Sequence, residues 1–147
     1  MALVYLSIGK QMLANVRANL AFTAIGVFLF VGALMASYAA TTLLWPGTPL
    51  DRLWELNPKA YTQLVPLAPM VGLLFLLLCA CLVTAGLGWF RRRLWGWRLT
   101  VAIIAIQLLG DTFHCLQGDF LGGGVGVVIA GGLLLYLFRP AIRRIFL

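Results

Sequence analysis

Four stretches of this chain are almost purely apolar, and short polar or prolyl segments separate them. They cover about 19–44, 64–90, 99–117 and 120–138. A helix that crosses the roughly 30 Å hydrocarbon core of a bilayer needs roughly 20 such residues. Inside lipid, only a helix or a closed barrel satisfies its own backbone. The pattern therefore predicts an all-α integral membrane protein. Its architecture is a four-transmembrane-helix bundle with short interfacial helices, and the single membrane domain covers 1–147.

The segments between the runs carry their own patterns. Leu3, Leu6, Met12, Leu13 and Val16 recur at roughly helical spacing among Ser7, Lys10, Gln11 and Asn15. That spacing predicts a short helix over 2–16 lying on the inner membrane surface. Ala36-Ser-Tyr-Ala39 has the form of a signal-peptide cleavage site. However, the run from Leu20 to Met35 is long for a signal core, and no compact basic segment precedes it, so a retained first span is expected. Pro46-Gly47 predicts a turn. Thr48 then suits a helix cap, with Pro49 at the first position and Asp51 in the first turn. Leu50, Leu53 and Trp54 share one face of that short helix; Asp51, Arg52 and Glu55 share the other.

In the second run, Pro66 and Pro69 fall in the first turns, where missing amide donors matter least. Ala80, Thr84 and Gly88 recur every fourth residue, which predicts a close helix approach. Trp89-Phe-Arg-Arg-Arg-Leu-Trp-Gly-Trp-Arg98 is a short basic connection. Trp45, Trp54, Trp89, Trp95 and Trp97 are expected as interfacial anchors, as tryptophans at span ends usually are.

Composition supports the class: 63% of residues are hydrophobic and 10% charged, with a mean hydropathy of +1.01. A soluble domain carries more polar surface. The net charge of +7 would suit nucleic acid in a soluble protein, but its distribution predicts topology instead. Lys10, Arg17, Arg91, Arg92, Arg93, Arg98, Arg139, Arg143 and Arg144 fall on one side of the spans; only Arg52 and Lys59 fall on the other. The positive-inside rule then expects a multi-pass protein of the inner (plasma) membrane with both termini in the cytoplasm. The expected partners are the lipid bilayer and a second copy or a larger membrane complex, with no nucleic acid.

The chemistry is concentrated in Gln107-Leu-Leu-Gly-Asp-Thr-Phe-His-Cys-Leu-Gln-Gly-Asp119, which holds the only histidine and two of the four acids. Gln107, Asp111 and His114 are spaced i, i+4, i+7 and share one helix face. Asp111 lies thirteen residues beyond Arg98, about 20 Å along a helix. An acid at such depth costs on the order of 3 kcal/mol on insertion scales, so it must pair, neutralise or face water. Two readings follow. Asp111 and His114 satisfy each other, or a hydroxyl of Ser37, Thr41 or Thr42, as a packing cluster; or the cluster serves a proton, ion or polar ligand. Packing is the commoner outcome for one acid and one histidine.

No metal, cofactor or catalytic group is expected. A single histidine excludes bis-histidine haem, and Cys115 is rotated away from the Asp111–His114 face. Cys79 and Cys81 point to different faces of one helix and read as small core residues. No nucleotide-binding or nucleophilic fingerprint appears.

Gly118, Gly122, Gly126 and Ala130 recur every fourth residue, with Gly123, Gly124, Gly131 and Gly132 alongside. In lipid such a face lets backbones approach. It predicts an oligomer interface or packing within the monomer.

The Arg91-Arg-Arg-Leu-Trp-Gly-Trp97 turn, the Gly110-Asp111 and Gly118-Asp119 pairs, the glycine-rich last run and the Leu56-Asn-Pro58 loop together resemble a type of small four-span bacterial membrane protein with no established activity. The likeness runs from Trp45 onward. It implies topology and nothing catalytic. The charged Arg/Asn/Glu helix pattern of the four-span glutathione-transferase-like membrane enzymes is not seen. The sequence thus leads to a non-enzymatic structural or accessory protein packing through its glycine face, with a small channel or transporter built on Gln107, Asp111 and His114 as the alternative.

Overall fold

The computed structural model of the chain describes the backbone of residues 2–56, 58–118 and 120–146; the side chains of 2–11, 13–15, 17–18, 50, 53, 55–56, 59–60, 121–122 and 141 lie outside the description. The expected roles of Lys10, Arg17, Lys59, Gly122 and Asp119, and the Leu50–Leu53 face, fall on those positions.

The described residues are all helical or turn, with no strand. Helix α1 runs from Ala2 to Leu44 without a break. Its 43 residues extend about 65 Å. Residues 2–16 are thus its first turns and not a separate element. The reason lies in the chain: no proline occurs before Pro46, and nothing else there halts a helix. Trp45, the residue before that proline, closes the last turn by donating its amide to the Thr41 carbonyl at 2.9 Å, as the steric bias ahead of proline favours.

A 3-10 helix, Pro49–Leu56, follows, and then α2, Pro58–Leu64. Gly47 precedes them with φ +92°, a conformation that glycine adopts freely. Its amide donates to Asp51 Oδ2 at 2.6 Å. The Thr48 hydroxyl does not cap: its buried oxygen has no partner, and the Asp51 carboxylate binds the turn instead. The segment is pinned to α1 by Trp54, whose Nε1–H donates to Thr42 Oγ1 at 3.0 Å. Val65–Leu67 form one 3-10 turn before α3, Ala68–Phe90. Pro66 and Pro69 explain this interruption, because Pro69 has no amide to return to the Val65 carbonyl.

Helices α4 (Leu94–Leu116), α5 (Phe120–Leu137) and the short α6 (Pro140–Arg143) complete the chain. The segments Asn19–Leu44, Tyr61–Phe90 and Leu94–Leu116 are long and apolar enough to cross a membrane, and Gly123–Leu137 is a shorter apolar stretch. The third long helix starts at Leu94, five residues before its expected start.

The large helices pack in the order α1, α3, α4, α5. Glycines set the closeness. A side chain at Gly26 would enter the Phe90 ring, and one at Gly86 would touch Phe30 at 3.0 Å, so α1 and α3 each set a glycine under the other's ring within one turn. Where α3 meets α4, Gly88 and Gly96 lie backbone against backbone; a Cβ on Gly88 would stand 2.7 Å from the Gly96 Cα. Ala80 and Thr84, grouped with Gly88 by spacing, are exposed. The close approach of α3 uses Gly72, Gly86 and Gly88.

The arginine-bearing end is closed by an aromatic floor. Trp89 is 0% exposed and Trp97 8%, so neither is an interfacial anchor. Trp89 donates its indole N–H to the Phe22 carbonyl at 2.9 Å, and Trp97 donates to the Leu137 carbonyl at 3.2 Å. The C-terminal residues fold back: Ile142 and Phe146 are buried, and the Phe146 ring lies 4.8 Å from that of Trp89. Trp45 and Trp95 remain exposed, as anchors require, and Trp54 is half-buried against Tyr61.

The turn between α3 and α4 is tight because Arg92 takes φ +52°. Arg93 donates to the Gly88 carbonyl and Arg92 to that of Trp89, the pattern of a helix ending in a left-handed residue. The Arg92 guanidinium sits 5.6 Å from the centroid of the Phe22 ring.

Candidate functional site

Asp111 lies on α4, seventeen residues past Leu94, about 26 Å along the helix. Gln107, one turn earlier, donates its Nε2–H to Asp111 Oδ1 at 3.0 Å. Such i, i+4 amide–carboxylate pairs arise wherever both residues are helical. The pair forms as the spacing predicts.

The space beside the carboxylate is created by α5. A Cβ built on Gly126 would clash with the Asp111 carboxylate, and one built on Gly123 would lie 2.6 Å from the Asp111 carbonyl oxygen and 2.5 Å from the Cys115 amide. Gly123 and Gly126 therefore share the α4-facing side of α5, one helical step apart. Sequence spacing grouped Gly126 with Gly118, Gly122 and Ala130. Ala130 is buried on the same side. Gly118 is no part of the helix face: it forms the turn after α4 with φ +100°, and a Cβ there would meet nothing within 4 Å.

His114 does not join the pair. It is exposed, and the bond that Asp111 makes is to Gln107 alone among the described residues. The hydroxyls considered as partners are engaged elsewhere: Ser37 donates to the Leu34 carbonyl, Thr41 to that of Ser37, and Thr42 to those of Tyr38 and Ala39. Each returns to its own helix, a common way for hydroxyls in apolar helices to be satisfied.

Asp111 and Gln107 stand in the wall of a cleft of about 540 Å³. Its walls come from all four large helices: Phe28, Met35 and Ala39 of α1, Phe75 and Leu78 of α3, Ile103 and Ile104 of α4, Ile129 and Leu133 of α5. Phe28, Met35 and Ile129 are exposed and form its rim. The helix order leaves α1 and α5 apart, so the cleft opens between them. Towards the arginines it stops short of the aromatic floor: none of Trp89, Trp97, Leu137 or Phe146 lines it.

Chemically, the lining is hydrocarbon with one carboxylate and one amide. Asp111 is its only titratable member. A proton relay needs a second carrier within reach, and this wall has none. The described residues contain no group of three His, Cys, Asp or Glu side chains placed to hold a metal ion. Cys79, Cys81 and Cys115 are free thiols.

The apolar walls left no sequence signal, because a leucine facing a cleft and one facing lipid are the same residue in the same pattern. The pairing of Asp111 with Gly126 was the one readable clue, and it needed the register of α4 against α5.

The chain matches no protein-family model, no curated protein and no solved structure. The site must therefore be read from its own chemistry.

Proposed function

We propose that this is a non-enzymatic, four-span integral membrane protein that holds an amphiphilic molecule in the cleft between α1 and α5. The carrying observation is the Asp111–Gln107 pair in the wall of an otherwise apolar cleft of about 540 Å³. Ligand sites are concave, mostly apolar, and carry a few placed polar groups; about 300–1,000 Å³ is their usual range.

Membrane embedding rests on the outer surface. Leu73, Leu77, Ile106, Leu109, Leu116 and Leu135 all point outward, an apolar surface that water would not tolerate. The 18 residues of α5 reach about 27 Å, close to the core thickness of a bilayer, which supports a fourth span. The arginines at the floor end support an inner-membrane orientation with both termini in the cytoplasm.

Binding is preferred to conduction because the cleft ends above the aromatic floor and its lining offers one titratable group. In the experiment, the protein is purified in lipid nanodiscs and examined by native mass spectrometry for a retained amphiphile. Ala39→Phe, which sets a ring into the cleft wall, should weaken its retention. Identical retention in that variant would reject the cleft as the site.

A second reading has its own observation. On α5, side chains added at Gly124, Gly131 and Gly132 would meet nothing within 4 Å, and between and beyond them Val128 and Leu135 are 74% and 76% exposed. This outer glycine face supports self-association or docking on a larger complex. Gly124→Leu and Gly131→Leu should reduce in-membrane crosslinking while leaving the monomer's stability unchanged; unaltered crosslinking would reject this face as the interface.

A further inference from the structure

We infer that the molecule taken by the cleft is an organic cation with an apolar body, and that Asp111 supplies its counter-charge. The inference rests on the cleft reading above and names the class of ligand.

Asp111 is the one charged residue in the lining. Gln107 is neutral, so its bond orients the carboxylate without balancing its charge. Gln107 takes Oδ1, and the rest of the group lies over the space that Gly126 leaves empty. No arginine or lysine lines the cleft. Arg98, on the same helix, is thirteen residues away, about 20 Å; Arg52 sits in the Pro49–Leu56 segment at the opposite end of the bundle, and the other described arginines lie around the floor end. No ion pair reaches Asp111 from the described residues.

A carboxylate within an apolar wall must neutralise, meet water or find a counter-charge, and attraction between unit charges at about 4 Å is several-fold stronger there than in water. A ligand cation provides that charge; an anionic headgroup would be repelled. The shape of the site favours an organic cation over a metal ion. A metal demands several oxygen, nitrogen or sulfur donors, whereas this lining is hydrocarbon with the rings of Phe28 and Phe75, and aromatic rings attract organic cations.

The test uses the full chain in phosphatidylcholine nanodiscs and three probes with the same twelve-carbon tail: dodecyltrimethylammonium, neutral dodecanediol and dodecyl sulfate. Binding is measured by equilibrium dialysis against empty nanodiscs, for the wild type, Asp111→Asn and Ala39→Phe. Asp111→Asn keeps the size of the side chain and can still accept from Gln107, and circular dichroism checks its fold. The expected result is that the cation binds roughly tenfold more tightly than the neutral probe, about 1.4 kcal/mol. Asp111→Asn should erase that preference while retaining neutral binding, and Ala39→Phe should lower binding of every probe. Equal binding of cation and neutral probe, abolished together by Ala39→Phe, would overturn the cationic selectivity and leave the cleft reading standing. Preference for dodecyl sulfate would likewise overturn it. No protein-dependent binding of any probe, or binding unaffected by Ala39→Phe, would overturn both.

Discussion

The carboxylate of Asp111 packs directly against Gly126, closer than any side chain there would allow. Its present position therefore depends on glycine at 126. Gly126→Ala should push the carboxylate aside and break its bond to Gln107, and Gly126→Leu should part α4 from α5. Overpacking of this kind costs about 1–3 kcal/mol. Gly124→Ala, two residues earlier and facing open space, should stay within about 0.5 kcal/mol of the wild type. Denaturation of the purified protein in mixed micelles measures both; equal losses would contradict the assigned register.

Trp89 is the centre of the floor, wholly buried and bonded to the Phe22 carbonyl. Trp89→Ala should destabilise by about 3–5 kcal/mol. Trp89→Phe keeps most of the volume and removes only the indole bond, since the Phe22 carbonyl lies inside α1 and keeps its helical partner; the loss of that bond should cost about 0.5–1.5 kcal/mol. Phe146→Ala should also destabilise, in the range for a buried aromatic, and the double variant should fall short of the summed losses because the rings touch. Full additivity would show that the C-terminal residues do not pack there.

Arg92 sits in a left-handed conformation with its guanidinium near Phe22. Arg92→Ala loses the cation–π contact and keeps the strain. Arg92→Gly loses the contact and relieves the strain. The glycine variant should be the more stable of the two by about 1 kcal/mol, as thermal unfolding of the pair would report. The reverse order would exclude this turn geometry.

The α3–α4 hairpin crosses at Gly88 and Gly96 with backbones in contact. Gly96→Ala must spread the hairpin, since a Cβ there enters the backbone of Gly88. It should destabilise by about 1–3 kcal/mol despite alanine's better helix propensity. Thr84→Ala, exposed and hydrogen-bonded only to Ala80 of its own helix, should change little. Comparison of the two by denaturation separates tertiary contact from sequence spacing, which had grouped Thr84 with Gly88.

The helices were legible because apolar length is a local property of the chain: Asn19–Leu44 coincides with the expected first span. The Gln107–Asp111 pair was legible for the same reason, since four residues on a helix fix who meets whom. What could not be read depended on distant partners. A tryptophan beside arginines has one signature whether it faces lipid or a returning chain end, and the arrival of Phe146 decides the matter for Trp89. The continuity of α1 through Lys10 and Arg17 also escaped the pattern, because polar residues mark a change of environment and need not mark a change of conformation. His114 shared a helical face with Asp111 in projection, yet three residues of further turn left it exposed.

The floor built from Trp89, Trp97 and Phe146 also decides which end of the bundle is free to move. Trp89 ties α3 to α1 and Trp97 ties α4 to α5, each through a backbone carbonyl, and Phe146 packs on Trp89. Any widening of the cleft between α1 and α5 must therefore hinge about that end.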